Sequence, residues 1–215
     1  MRSRFDQQLA LLNRELIEMG ALCEEVIAAA AKALMEGDTE LAAQIPPRAS
    51  GIDQQERDIE ALCLKLLLRQ QPVASDLRQI SAALKMITDM ERIGDQAEDI
   101  SEIVQFLNGR TVENADLLQE MSRAVIKMVT ESVDAYVKHD IMLAEKVIAD
   151  DDTVDDYFDR VKTELIDAIA ANPSDGEYAL DLLMIAKYFE RIGDHAVNIA
   201  EWVIFSVTGL HKSNG

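Results

Sequence analysis

Glu91-Arg92-Ile93-Gly94-Asp95 recurs as Glu190-Arg191-Ile192-Gly193-Asp194. Five identical consecutive residues in two places are hard to obtain by chance, and the identity continues outward. Downstream, Asp99-Ile100 is echoed by Asn198-Ile199, and Glu102 by Glu201. Upstream, Ile52-Asp53 through Ile59 is matched by Val154-Asp155 through Val161, and Leu41-Ala42 by Leu143-Ala144. His139-Asp140 stands where Gly37-Asp38 stood. The copies are 99 residues apart at the motif and 102 apart in the earlier segments. An internal repeat of this kind sets the architecture before any single element does.

Each copy reads as helices. Phe5, Leu9, Leu12, Leu16, Met19, Cys23, Val26, Ala30 and Ala33 recur every three or four residues, the signature of one long amphipathic helix. Gly37 stops it, and Asp38 is placed to cap a short helical piece over 39–44. Pro46-Pro47 is expected to break the chain. Ser50-Gly51-Ile52-Asp53 resembles a capping box opening a second helix, and Pro72 is expected to end that region. Ser75 or Asp76 is expected to cap a third helix that runs to Asn108-Gly109. The pattern then restarts with Leu117, Met121, Val125, Met128, Ser132 and Tyr136. Pro173 and the capping box Ser174-Asp175-Gly176-Glu177 are expected to open the last helix, which ends near Thr208-Gly209. The expected fold is all-α: two tandem three-helix bundles with short loops, residues 1–109 and 110–215.

Composition narrows the function. The chain has 215 residues and a formal net charge of −19. Such a surface repels nucleic acid and anionic lipid, and attracts cations and basic protein surfaces. Cys23 and Cys63 lie among apolar helical positions outside any CxxC motif, as expected of buried thiols in a reducing compartment. The first residues lack the apolar stretch of a signal peptide, and no apolar run can span a membrane, so a cytoplasmic protein is expected. There is no GxGxxG, P-loop, HExxH or GxSxG, and no nucleophile placed for activation, so no enzyme is expected. His139, His195 and His211 form no Glu-x-x-His pair, which argues against a di-iron bundle.

On a helical wheel, Met86, Met90, Ile93, Ala97, Ile100 and Val104 form one apolar stripe. The nearly opposite stripe begins with Leu77, Ile80 and Leu84 and continues as Glu91, Asp95, Glu98 and Glu102. The last helix repeats this, with Glu190, Asp194 and Glu201 on the second face. Carboxylates four apart repel each other unless a cation neutralises them, and such a pair can bind a hard metal ion through oxygen. A solvated acidic face is the competing reading. Arg92 and Arg191 are within reach as partial counter-ions. Gly94 and Gly193 each cost about 1 kcal/mol relative to Ala inside a helix, which points to close approach of another helix or a bound group. The second helix of each half offers further acids: Asp155 and Asp159, four apart, with Asp156 beside them, and Asp53 with Glu56 in the first half. Stabilisation of a helix N-terminus is the alternative role for Asp53, Asp155 and Asp156.

The tandem Glu-Arg-Ile-Gly-Asp motifs on acidic helices, repeated over nearly the whole chain, resemble the PhoU family of phosphate-signalling regulators. The resemblance implies two three-helix-bundle repeats, a cytoplasmic negative regulator of the phosphate regulon, and a homodimer. Its implied partners are a phosphate ABC transporter, through the ATPase subunit, and a sensor histidine kinase. It also implies metal at the acidic motifs, here Glu91, Asp95 and Asp99 in the first half and Glu190 and Asp194 in the second, with Asp155 and Asp159 fitting the same spacing. Iron, zinc, magnesium and manganese are the candidate ions. Asn198 replaces Asp99, and Arg57 stands four residues after Asp53, so the two ligand sets differ. A metal-storage or metal-dependent hydrolytic bundle is the alternative function.

Overall fold

The computed structural model describes residues 2–70, 73–112 and 116–210, so Pro72 and His211 lie outside the described residues. Among those described, there are helices and no strands. The order is α1 (Arg2–Glu36), α2 (Thr39–Ala43), α3 (Ile45–Gln70), α4 (Ala74–Phe106), α5 (Asp116–Lys138), α6 (Ile141–Ala171), a 3-10 turn (Pro173–Asp175) and α7 (Gly176–Thr208).

The predicted apolar stripes are the cores. On α1, Leu12, Leu16, Met19, Cys23, Val26, Ala30 and Ala33 are fully buried. On α4 the same holds for Met86, Met90, Ile93, Ala97 and Ile100, and on α7 for Ile185, Phe189, Ile192, Ala196, Ile199 and Val203. Each large side chain removed from water contributes about 1.5–3 kcal/mol before chain entropy is counted. Cys23 and Cys63 are both buried and free. Helix punctuation follows backbone geometry. Gly37 ends α1 with φ of 63°, and His139 ends α5 with φ of 53°. Asp38 then caps α2, its Oδ1 accepting from the Leu41 N–H at 2.8 Å, and Asp140 caps α6 through Leu143 at 3.0 Å.

Four of the expected boundaries move. Pro46 and Pro47 do not break the chain. They lie in the first turn of α3, where a helix has no partner for the missing N–H. Ser50 therefore caps nothing, and its hydroxyl donates to the Pro47 carbonyl at 2.8 Å. The N-cap of α4 is Val73, without a side-chain hydrogen bond, rather than Ser75 or Asp76. In the second half Ser174 donates to Asn172 at 2.6 Å, and Asp175 precedes α7 without capping it. Asp53, Asp155 and Asp156 consequently sit well inside helices that begin at Ile45 and Ile141, beyond the reach of the N-terminal dipole.

Helices α1, α3 and α4 pack together, as do α5, α6 and α7, and equivalent helices meet across the junction, α1 with α5 and α4 with α7. The α4–α7 contact is antiparallel. Arg78 reaches the Ser206 carbonyl at 3.4 Å, Lys85 lies 6.0 Å from the Trp202 ring, and Asp89 meets His195 and Asn198. Further along, Asp99 and Glu102 act on Tyr188. Asp89 corresponds to Tyr188 in the repeat, and Asn198 to Asp99. The contacts are thus reciprocal, as about an approximate two-fold axis. Tyr136 of α5 adds a polar tie, donating to the Gln79 carbonyl of α4 at 2.9 Å.

The turn at Gly37 tests this reading. A Cβ there would sit 2.6 Å from the Gly109 carbonyl oxygen, in a left-handed conformation that side chains disfavour. Gly37→Ala is expected to destabilise the chain by more than about 1–2 kcal/mol, read from urea unfolding midpoints.

Candidate functional site

The two motifs lie on the middle turns of α4 and α7, and each faces the preceding helix of its own half. Their glycines make that possible. A Cβ on Gly94 would meet Ile52 Cδ1 of α3 at 3.0 Å, and one on Gly193 would meet Asp151 Oδ1 of α6 at 3.2 Å and Val154 Cγ1 at 3.5 Å. Close helix approach is therefore what the two glycines serve. It brings the acids of α3 beside Glu91 and Asp95, and those of α6 beside Glu190 and Asp194.

In the first half, Asp53, Glu56, Glu91 and Asp95 are all half-buried. Burial, then repulsion from Asp95, raises the Glu91 carboxyl above its ordinary value, with Arg92 opposing and Glu56 and Asp53 adding smaller repulsions. Burial and Glu60 raise Glu56, while a hydrogen bond from Thr88 at 3.5 Å opposes. Arg92 bridges the motif, 3.4 Å from Glu91 and 3.1 Å from Asp95. Glu98 and Asp99 extend the ladder, both raised by burial and by Glu102. Asp99 turns toward α7, where Arg191 offsets its charge.

The second half is built differently. Asp151, half-buried, stands one turn before Asp155 and projects its Oδ1 against Gly193, where that oxygen is buried without a hydrogen-bond partner. Burial, then Asp155, Asp194 and Glu190, pushes its carboxyl up to about 6. Asp155 and Asp194 are exposed but also raised, by burial and by Glu190, with Lys187 opposing both. Lys187 forms an ion pair with Glu190, whose side chain is only 14% exposed. Asp159 points away. It is 69% exposed and pairs with Lys162 at 2.6 Å. Asp156 is also exposed, 3.8 Å from Arg160.

Two residues that matter here were not singled out from sequence. Asp151 continues the spacing of Asp155 and Asp159 backward by four, so a wheel drawn for α6 finds it. Lys187 stands three residues before Glu190, on the same face. His195 acts at the helix junction, its Nδ1 2.9 Å from Asp89 Oδ1, which also accepts from Asn198 at 3.1 Å. Asn198 therefore has a partner that a second aspartate would repel.

Among the described residues, no three His, Cys, Asp or Glu side chains converge as a group that could hold a metal ion. A basic side chain is already paired in each motif, Arg92 in the first and Lys187 in the second. What the arrangement does present is two acidic faces that a cationic group can approach from solvent. No helix among the described residues is long and apolar enough to cross a membrane.

The family model of the PhoU domain matches the chain twice, at residues 16–104 and 118–203. A phosphate-specific transport system accessory protein PhoU homolog from Clostridium acetobutylicum is 35% identical over 212 residues, covering 97% of this chain and 96% of the relative. Its counterpart from Pseudomonas aeruginosa is 36% identical over 208 residues, 96% of this chain and 86% of the relative. The crystal structure of PhoU from P. aeruginosa superposes with a TM-score of 0.90 at 36% identity, covering 96% of this chain and all of that one. The phosphate transport system regulatory protein PhoU from Streptococcus pneumoniae gives 0.89 at 27% identity, covering 97% and 99% of the two chains.

Asp151 gives the second motif a pH signature. An acid whose folded value is raised holds its proton more tightly in the folded chain. Its favourable contribution is complete below the free-aspartate value of 3.8 and is lost as pH rises to about 6. Asp151→Asn removes that loss. The variant is expected to match the parent near pH 4 and to melt higher at pH 7.5, compared by calorimetry across that range. Equal melting temperatures at pH 7.5 would contradict the assignment.

Proposed function

Because this chain belongs to the PhoU family, we propose that it is a negative regulator of the phosphate regulon that modulates phosphate uptake. In this reading it is a non-enzymatic adaptor between a phosphate ABC transporter, through its ATPase subunit, and a sensor histidine kinase. The observation that carries the reading is the pair of PhoU domains, present in order and over nearly the full length of relatives named for phosphate transport.

The physical chemistry is consistent with an adaptor. With a formal net charge of −19, the chain draws basic surfaces through long-range attraction that speeds encounter and sets orientation. The acidic faces of α3–α4 and α6–α7 lie on two rigid three-helix units locked by a long junction, so partners dock on a surface that is already organised.

Deleting the encoding gene tests the reading. Phosphate-regulon output, followed with an alkaline phosphatase reporter in rich phosphate, is expected to rise from its repressed level. The tagged protein is expected to retain the transporter ATPase and the kinase from the same cells, and to release both as salt is raised. A reporter that stays repressed after deletion would rule out negative regulation.

A further inference from the structure

The two motifs are identical in sequence, yet their charges are compensated from different places. In the first, Arg92 spans Glu91 and Asp95 from outside, with its own side chain 56% exposed, where an ion pair contributes little. Arg191, its counterpart, does not repeat this. It lies 5.8 Å from the Tyr188 ring and offsets Asp99 across the junction. In the second motif the work passes to Lys187, paired with Glu190 and opposing the charges of Asp155 and Asp194. Lys187 is also seated, with its ammonium 5.4 Å from the Phe158 ring of α6. The repeat offsets place Thr88 opposite Lys187 and Glu56 opposite Phe158. Where the second half has a lysine over an aromatic ring, the first has a threonine donating to an additional carboxylate.

We propose that Lys187 is the resident cation of the second motif. Its ammonium pairs with Glu190 and offsets part of the charge of Asp155 and Asp194 from within the chain, taking the position of counter-ion that a metal ion would otherwise fill. This follows from the pairing of Lys187 with Glu190 over the Phe158 ring, and from the replacement of two positions together between the halves. It does not depend on the regulatory role.

Variants in an E91Q/D95N background isolate the second motif. Lys187→Thr installs the first half's residue, and thermal unfolding is followed with EDTA or with Mn2+ alone. With Lys187 present, the melting temperature is expected to be the same in both. Lys187→Thr is expected to lower it by about 2–4 °C in EDTA and to regain that loss in Mn2+. K187R is expected to hold most of it, and K187T/E190Q to regain it in EDTA without metal. Should K187T fail to fold in EDTA, recovery by Mn2+ or by E190Q supports the proposal equally. Three results would overturn it: a Mn2+ response with Lys187 intact, no loss in K187T, or a loss that neither Mn2+ nor E190Q repairs, which marks a packing role.

Discussion

The antiparallel contact of α4 with α7 is the constraint on which the rest of the molecule depends. Each half is a three-helix bundle whose third helix has two faces to satisfy: one against its own bundle and one against its copy. Reciprocal packing about an approximate two-fold axis meets both demands with one sequence pattern. The motif carboxylates stand on the side turned to the preceding helix, near the surface, where solvent still reaches them.

Symmetry of fold is combined with asymmetry of charge. Asp89 takes two donors from α7, His195 and Asn198, whereas its counterpart Tyr188 faces the carboxylates of Asp99 and Glu102. Gln96, counterpart of His195, is buried with its Oε1 unpaired. The two repeats thus share a scaffold and differ in charge at a few facing positions.

That division marks what sequence could and could not reveal. The stripes of α1, α4 and α7 were legible because periodic burial leaves a periodic trace, and Gly94 and Gly193 pointed to close approach of a helix or a bound group, of which the structure shows the helix. Helix starts were less legible. Pro46-Pro47 looks like a break from composition, but the first turn of a helix tolerates missing N–H groups. The acids at Glu91, Asp95, Glu190 and Asp194 were found from spacing. Whether neighbours converge on them depends on helix–helix rotation, which spacing within one helix does not encode. Asp151 and Lys187 gained their meaning only from what α6 and α7 bring together, while Asp159 lies exposed beside Lys162.

The junction also contains the chain's only tryptophan. Trp202 packs edge-on against Phe205 at 5.6 Å and lies beneath Lys85 of the opposite repeat. Its surroundings therefore belong to both repeats at once. The native indole emission is consequently an optical gauge of how closely the two bundles are held together, present in the chain without any label.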